Sequence, residues 1–589
     1  MLSSTYRLQV RESFDLYAAA DVCDYLATLG VGAVYLSPLL PSAAGSEHGY
    51  DVVAFDRVDG ARGGMDGWTR LLAAARAREL GVVLDIVPNH TGVATPKENP
   101  AWWDLLRYGR ASAYASWFDV DWTSGRLLLP VLGDDFEPSQ LHVDGGGDTA
   151  ELAYFEHRFP IAPGTGAGAA ADVHDRQHYE LVNYRRADTE QNYRRFFAVT
   201  SLAGLRVEDP VVFDATHEQI LRWLQADGID GLRIDHPDGL ADPRGYLLRL
   251  RELAGEDAWI TVEKILEPGE ALPADWPVDG TTGYDALSEV AALFVDAEAG
   301  PALDTAYREL TADPRTFAEH VMAGKRNAVT TILRAEVSRL ARLVPQLINA
   351  EDALAELLVA FPVYRSYLPD GAEHLAAAIE RARAVRPDLA DTIGSLATRL
   401  SDPADELCSR FQQTSGAVMA KGVEDTGYYR YTRFIAANEV GGDPAHLGLT
   451  PSEFHLAQLR RQQIAPRSMT TLSTHDTKRG EDVRARLTVL AELPDEWTQL
   501  ARTLMSTAPL PDRPFAYLLW QTFAGVGLIA RERMHEYAEK AMREAATSTN
   551  WLDPEVEFEA AVHALVDHAY EDPAVRDPLT AFVERITPY

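Results

Sequence analysis

Three carboxylic acids stand where short apolar segments of the sequence give way to polar residues. Asp235 ends one such segment, Glu263 follows the next, and Asp476 follows a third, weaker one. Because active-site residues of a (β/α) barrel lie at the carboxyl ends of its strands, these acids are expected to converge on one pocket. Two such acids suit cleavage of a glycosidic bond, one as nucleophile and one as acid/base, and a third can stabilise the positively charged transition state.

The surroundings of the first two acids predict different protonation states. Alternation along a strand places Arg233 on the same side as Asp235, and a nearby cation favours the charged carboxylate, so Asp235 is expected to be ionised. The competing interpretation is a structural ion pair under a loop. Glu263 follows the apolar residues Ile260 and Val262, so its carboxyl is expected to stay protonated in drier surroundings and to donate a proton.

Two histidines and a tyrosine flank the acids. His90 and His475 could each be satisfied within the core or a loop, but the sequence has no paired Cys or His spacing typical of a metal site. Next to three acids, these histidines are more typical of side chains that hydrogen-bond to hydroxyl groups than of metal ligands. Tyr50 could stack on a sugar ring, with packing in the core as the alternative.

The elements that position these residues read as strands alternating with amphipathic helices. This alternation predicts parallel strands with crossover helices, and the number of strands favours a (β/α)8 TIM barrel over an open doubly wound sheet. No Gly-rich phosphate loop of either common spacing follows a strand, which weakens the nucleotide-binding version of the open sheet. The predicted strands are Thr5–Val10, Ala33–Ser37, Val82–Val87, Gly231–Ile234 and Trp259–Val262, with weaker candidates at Thr281–Tyr284 and Met469–Ser473.

Two long interruptions of this alternation predict insertions on loops that follow strands. One is a Trp-, Tyr- and Gly-rich loop subdomain after strand 3, and the other is a large helical insertion before strand 7. Seven strands are counted, so the eighth is expected to be missing, and the tail after Thr477 is expected to be helical. The predicted division is 1–90 for the first part of the barrel, 91–224 for the inserted subdomain, 225–300 for the middle part, 301–465 for the helical insertion and 466–589 for the last part.

Composition restricts the class of partner and the compartment. The 55 basic and 89 acidic residues leave 55 − 89 = −34 formal charges, which repel nucleic acid and anionic membranes and favour a neutral or cationic ligand. Two cysteines, Cys23 and Cys408, are typical of buried thiols in a reducing compartment. Met1–Val10 does not read as a secretory signal, and Phe515–Ala530 is short of a membrane span. We therefore expect a soluble cytoplasmic protein with neither nucleic acid nor membrane as partner.

Several motifs resemble a known family. Four segments resemble, in order, the signature regions of the α-amylase superfamily of retaining glycoside enzymes: Asp85–His90, Gly231–Asp235, Glu263 and His475–Asp476. More specific segments resemble the maltooligosyltrehalose synthase family, and together they run from Tyr6 to about Leu487. They are Gly45–Asp51, Gln191–Phe197, Leu202–Asp209, Arg233–Pro243, Lys421–Tyr431 and Thr474–Leu487.

This resemblance implies an intramolecular transglycosylase, an isomerase. Such a (1→4)-α-D-glucan 1-α-D-glucosylmutase turns the reducing-end α-1,4 linkage of a maltooligosaccharide into an α,α-1,1 (trehalose) linkage, as a step of trehalose biosynthesis. Carried over by resemblance, Asp235 is the nucleophile, Glu263 the acid/base and Asp476 the transition-state stabiliser. The residues implied to bind or orient substrate are His48, Tyr50, Asp85, His90, Arg233, His236, Lys264 and His475.

The resemblance also implies which partners the protein has and where its sequence differs from the family. Neither a cofactor nor a metal is expected, and the partners are a maltooligosaccharide substrate and a downstream trehalose-releasing hydrolase that consumes the product. The family continues into an eighth strand and a C-terminal β domain, which are expected to be missing here. We further hypothesise that both insertions enclose a pocket that retains freed glucose and excludes water. The alternatives are an α-glucan hydrolase or transglycosylase with the same three acids, and an inactive, truncated glucan-binding relic.

Overall fold

A barrel-like parallel sheet carries the predicted strand ends. The computed structural model describes residues 3–589. Six strands pair in sequence order, and the pairings from the first to the fifth are parallel, as in a TIM barrel. The strands are β1 (Thr5–Leu8), β2 (Ala33–Leu36), β3 (Gly81–Ile86), β4 (Gly231–Ile234), β5 (Trp259–Val262) and β6 (Gly280–Thr281).

The register of this sheet sorts polar from apolar side chains. Asp85 pairs with Arg233, and Arg233 pairs with Thr261, so these three side chains share one face. Leu232 and Ile260, one position away, also pair with each other and are buried on the opposite face. One face of the sheet is therefore apolar and buried, and the other brings charged side chains next to one another.

Both of the weaker strand predictions differ from the structure. The predicted strand Met469–Ser473 is wrong: this segment has one backbone hydrogen bond to Thr281, from the N–H of Met469 at 3.2 Å, and no ladder follows. At the predicted strand Thr281–Tyr284, pairing stops at Thr281 because Gly283 turns left-handed (φ 94°) and starts a helix at Tyr284. No strand is described after β6, and the tail is helical as predicted.

Helices connect the strands, as the apolar periodicity predicts. The helix predicted over Ala18–Leu29, before β2, begins at Leu16 and is divided at Val22, and Gly30 (φ 87°) caps its end in the left-handed conformation. The helix before β4 ends in a π-helical turn, Trp223–Asp227. The connecting helices are Leu16–Asp21, Cys23–Leu29, Gly64–Ala77, Pro210–Arg222 and Pro243–Ala254, and Tyr284–Leu293 follows β6.

The segment between β3 and β4 folds into small sheets and short helices. One hairpin pairs Arg195–Phe196 with Val199–Gly204, and the second of these strands pairs antiparallel with His90–Gly92 at the end of β3. The hairpin is thereby attached directly to a predicted site residue. The other elements are the strands Leu127–Leu132, Leu141–Asp144, Glu151–Tyr154, His157–Pro160 and Tyr179–Asn183 and the helices Pro100–Tyr108, Ala170–His174 and Ala187–Glu190.

The residues after Gly300 form most of the helices, and contacts divide the chain into two compact units. The first unit contains the residues up to Lys264, Leu272–Gly280 and Val329–Ala417, and the second contains Ile265–Ala271, Thr281–Ala328 and Val418–Tyr589. The helices are Gly300–Thr311, Phe317–Thr330, Arg334–Arg342, Ala350–Ala360, Ala372–Val385, Ala390–Leu400, Glu406–Met419, Tyr428–Arg430, Pro451–Ile464, Glu481–Glu492, Pro494–Thr507, Arg513–Val526, Arg531–Ala545, Val556–Glu571 and Pro573–Ile586.

Both cysteines are buried free thiols. Burial raises the pKa of Cys23, and it raises the pKa of Cys408 to about 11. Neither is part of a disulfide. Across residues 3–589, no helix is both long and apolar enough to cross a membrane.

Candidate active site

Arg233 lies at the centre of the charged face of the sheet. Its Nη1 donates to Asp235 Oδ1 at 2.6 Å and to Asp85 Oδ1 at 3.0 Å, and its Nη2 lies 3.6 Å from Glu263 Oε1. The guanidinium is fully buried and the Asp235 side chain is 9% exposed. One planar cation therefore fixes two carboxylates and lies near a third.

Two tyrosine hydroxyls complete the environment of Asp85. Tyr35 and Tyr50 donate to Asp85 Oδ2 at 2.8 and 2.6 Å, and Arg7 donates to the Tyr50 hydroxyl at 3.2 Å. Burial and the Asp85 charge raise the pKa of both tyrosines well above the usual value, so both hydroxyls stay protonated donors. Asp85 thus lies beneath Arg233 as a fixed counter-charge.

The residue after Asp235 adopts an unusual backbone conformation. His236 is left-handed (φ 44°), and its backbone N–H donates to Glu263 Oε2 at 2.9 Å. Burial lowers the pKa of the His236 imidazole to about 4, so the ring is neutral near pH 7. The strained residue between the two strands therefore orients the carboxyl of the neighbouring strand.

His90 is buried against the hairpin of the inserted segment. Its Nε2–H donates to the backbone carbonyl of Tyr50 at 3.1 Å, and its ring lies 4.4 Å from the ring of Phe196. Burial lowers the pKa of His90 to about 3. His48, in contrast, is about half exposed at 54% of its side chain, and its ring stacks at 6.1 Å on Tyr50.

Lys264, next to Glu263, is buried among aromatic rings and a carboxylate. Its Nζ lies 3.4 Å from Asp238 Oδ2, and 5.4 and 5.8 Å from the ring centres of Tyr364 and Tyr367. The Tyr367 hydroxyl donates to Asp238 Oδ1. The two tyrosines come from the helical part of the chain, so that part contacts the loops after β4 and β5.

A cavity of about 40 Å³ lies beside His236 and Phe197, and its wall includes four arginines. That space holds about three waters. Gly239 belongs to this wall, and a Cβ there would lie 2.5 Å from Asn89 Oδ1, so only glycine fits. The arginines are Arg194, Arg195, Arg339 and Arg410.

The third predicted acid belongs to the second unit, in the loop before Glu481–Glu492. The Tyr284 hydroxyl donates to Asp476 Oδ2 at 2.7 Å and lies 2.9 Å from Thr474 Oγ1, which accepts the Asp476 N–H at 3.1 Å. His475 Nε2 lies 3.4 Å from Asp476 Oδ1. Asp476 is 34% exposed, and side-chain hydroxyls rather than strand pairing hold it.

A buried carboxyl in the same unit was not singled out as a site residue by sequence reasoning. Glu424 lies in the π-helical segment Ala420–Gly427, and burial raises its pKa to about 8. Although burial opposes it, Lys478 and Lys421 hold the pKa of the neighbouring Asp425 well below its usual range. Lys478 donates to Asp425 at 2.8 Å. The available signal was the motif Lys421–Tyr431, which contains two adjacent acids.

Comparison with known proteins identifies the family. The model of the α-amylase catalytic domain matches residues 11–244. A "putative maltooligosyl trehalose synthase" of Mycobacterium tuberculosis is 43% identical over an alignment that covers 99% of this chain and 78% of the relative. The chain belongs to the maltooligosyltrehalose synthase family. Two solved structures of this family also match over nearly the whole chain.

These structures share the fold closely. The maltooligosyltrehalose synthase from Arthrobacter ramosus is 50% identical, with a TM-score of 0.97, over 99% of this chain and 77% of that one. A hypothetical maltooligosyl trehalose synthase of Sulfolobus tokodaii is 32% identical, with a TM-score of 0.87, over 100% and 79%. The TIM-barrel-like fold that the alternation of strands and helices predicts is thus confirmed by the match to the α-amylase catalytic domain and to structures of the maltooligosyltrehalose synthase family.

Within the first unit, hydrogen bonds, ion pairs and ring contacts link most of the predicted site residues. Two others, His475 and Asp476, neighbour each other in the second unit. In the described residues, no group of three His, Cys, Asp or Glu side chains is arranged to hold a metal ion. The linked residues of the first unit are Tyr50, Asp85, His90, Arg233, Asp235, His236 and Glu263, and His48 lies at their edge on Tyr50. Lys264 follows Glu263 and contacts Asp238 and Tyr367 instead.

Proposed function

We propose that this chain converts the reducing-end α-1,4 linkage of a maltooligosaccharide into an α,α-1,1 linkage. The observation that carries this proposal is identity of 43% and 50% to maltooligosyltrehalose synthases over 99% of the chain. We also propose that the enzyme is cytoplasmic and that a trehalose-releasing hydrolase consumes the product.

The reaction is a double displacement with retention. Glu263 gives its proton to the leaving glycosidic oxygen while Asp235 attacks the anomeric carbon and forms a covalent glycosyl intermediate. The freed glucose turns and offers its anomeric hydroxyl; Glu263 takes the proton, the hydroxyl oxygen bonds to the anomeric carbon, and Asp235 leaves. Asp476 stabilises the positive charge of both transition states.

The contacts of Arg233 and His236 support these roles. An Arg233 guanidinium at 2.6 Å keeps Asp235 ionised and aimed, as a nucleophile requires. The His236 N–H at 2.9 Å fixes the orientation of Glu263 while burial keeps the histidine ring neutral. His48, Tyr50, His90, Lys264 and His475 are proposed to contact the sugar chain.

We propose that the two insertions, 91–224 and 301–465, enclose the freed glucose. They are attached to the barrel parts 1–90, 225–300 and 466–589. Two kinds of contact within the first unit support this. Arg195 of the first insertion pairs with Glu336 of the second at 2.8 Å, and Tyr367 of the second bonds to Asp238 after β4. Arg194 of the first insertion also donates to the carbonyl of Gly239 at 3.2 Å, so both insertions contact the loop after β4, which begins at the proposed nucleophile.

Incubation with maltopentaose tests the proposal. The mutase removes reducing ends without changing the number of chains, whereas hydrolysis increases both, so reducing-end assays and chromatography of the products separate them. Asp235→Asn should lower turnover by a factor on the order of 10⁴ or more. The control is Asp257→Asn, an exposed carboxyl before β5, which should leave turnover unchanged.

Two other outcomes would contradict the proposal. Release of glucose and maltotetraose without a trehalose-linked product would indicate the hydrolase. Binding of maltopentaose with no turnover in either the parent or Asp235→Asn would indicate a glucan-binding protein.

A further inference from the structure

The hairpin between β3 and β4 has a strained tip. Its strands Arg195–Phe196 and Val199–Gly204 shift register between Arg195 and Phe196, and Phe197 at the turn is left-handed (φ 49°). A bulky residue in this conformation costs roughly 1–3 kcal/mol, so the surrounding structure must hold it there. Glycine would avoid that cost.

Hydrogen bonds of one buried side chain, that of Arg195, attach the tip to the helical part of the chain. Arg195 donates from Nη1 to the carbonyl of Ala198 at 3.0 Å, and from Nη2 to the carbonyl of Ile332 at 2.7 Å. Its Nε donates to Glu336 Oε1 at 2.8 Å. The helical part of the chain thus fixes the turn through a single arginine.

The fixed turn presents two aromatic rings to the predicted catalytic loop. Phe196 and Phe197 stack with ring centres 4.3 Å apart, and they contact the His236 ring edge-on at 5.2 and 4.8 Å. Phe196 also lies 4.4 Å from His90. Two bulky left-handed residues, Phe197 and His236, therefore face each other one residue away from Asp235.

Both phenylalanines are only half-buried, unlike residues of the core. An apolar ring offers water no hydrogen bond, yet its face suits the C–H surface of a sugar. At this place the rings would favour a retained sugar over a water molecule.

We propose that Phe196 and Phe197 form a wall that decides the fate of the glycosyl intermediate, by favouring the freed glucose over water as acceptor. This inference rests on the proposed function. In transfer, the anomeric hydroxyl of glucose gives its proton to Glu263 and its oxygen displaces Asp235. In hydrolysis, water does both, and glucose leaves the site.

The test is the ratio of hydrolysis to transfer with maltopentaose, measured as glucose released against trehalose-linked product at early times. Because both products come from one intermediate, this ratio does not depend on how much of a variant is folded. Phe197→Ala, Phe197→Gly and Phe196→Ala should each raise the ratio about tenfold. Phe197→Leu, which keeps apolar bulk, should stay near the parent.

The chain provides a matched control. Phe155 is a second phenylalanine with a left-handed backbone (φ 48°) in the same insertion, but it is 62% exposed and its ring contact is with Tyr154. Phe155→Ala and Phe155→Gly should leave the ratio unchanged. At both positions the glycine variant should be more stable than the alanine variant, because glycine relieves the left-handed backbone.

Two results would overturn the wall, and they are distinguishable. A parent that forms no trehalose-linked product refutes the proposed function and the wall together. A parent that forms it, with Phe197→Gly slower but unchanged in its ratio, leaves the function in place and reduces the two rings to structural support of His236.

Discussion

Two regions of this molecule hold a proposed catalytic carboxylate in different ways. In the first, register places Asp235 two residues beyond Arg233, which pairs with Asp85 on the next strand. In the second, Asp476 stands in a loop, and the hydroxyls of Tyr284 and Thr474 hold it. The Asp235 side chain is 9% exposed and the Asp476 side chain 34%.

The difference concerns what must be removed to displace each acid. A strand residue keeps its direction as long as the sheet persists, and its charge is balanced by a buried cation. A loop residue depends on a few side-chain bonds, each worth about 1 kcal/mol. The strand-end cluster should therefore respond strongly to replacement of its buried guanidinium, and the loop cluster weakly to loss of one hydroxyl.

Among substitutions of the residues that hold the two acids, the largest effect is expected from Arg233→Lys. Lysine keeps the charge but not the planar fork that reaches Asp85, Asp235 and Glu263, so turnover should fall about 10²- to 10³-fold. The free energy of unfolding should fall by about 3 kcal/mol because buried carboxylates lose a partner. Enzyme kinetics and urea denaturation measure both, with the exposed Arg222→Lys as control. Turnover close to that of the parent would show that Arg233 does not orient Asp235.

A second effect distinguishes the regions by pH. Burial raises the pKa of Glu424, in the second unit, to about 8 from 4.5. The folded chain then keeps a proton that the unfolded chain loses, so this contribution to stability is present below pH 4.5 and is lost as pH rises to about 8. Near His236 the sign is opposite: its pKa is about 4 against 6.5, so its contribution is present above pH 6.5 and is lost as pH falls toward 4.

Glu424→Gln isolates the first of these two contributions. Relative to the parent, the variant should gain about 1 kcal/mol in free energy of unfolding per pH unit between pH 5 and 8, measured by denaturation in urea. Glu481→Gln, at an exposed helix start, should run parallel to the parent. Parallel curves for Glu424→Gln as well would mean that Glu424 is ionised in the folded chain.

The smallest effect is expected from Tyr284→Phe. Loss of the hydroxyl removes one hydrogen bond to Asp476 and the contact with Thr474, so stability should fall by about 1 kcal/mol. Turnover should fall about tenfold as Asp476 loses its orientation. Tyr517→Phe, which removes a buried hydroxyl bonded to Trp497, controls for stability without Asp476. A loss larger than that of Arg233→Lys would reverse the comparison of the two regions.

The same contrast explains what the sequence could predict. The bounds of β4 and β5 are as predicted, because buried strands have short apolar runs bounded by glycine or charge. The segment Met469–Ser473 has only two apolar residues, Met469 and Leu472, and a single backbone hydrogen bond to β6, so the weak apolar pattern did not correspond to a strand. The polar residues at its end include Asp476, so this acid stays a proposed site residue although the predicted strand before it does not form.

Contacts between distant segments could not be predicted from local sequence patterns. The left-handed backbone of His236 precedes a proline and could not be read from residue types that favour other conformations. The pairing of Arg195 with Glu336 joins residues 141 positions apart. The carboxyl of Glu424 is neutral near pH 7 because of burial, which a single sequence does not specify.

The two buried thiols make this chain suited to labelling. Maleimides react with thiolates, and the raised pKa values of Cys23 and Cys408 together with their burial keep both unreactive near pH 7. A cysteine introduced at exposed Ala73 in the first unit or Ala564 in the second would then be a single reactive handle. A fluorophore attached at either position would then label one known site while the two native thiols stay unmodified.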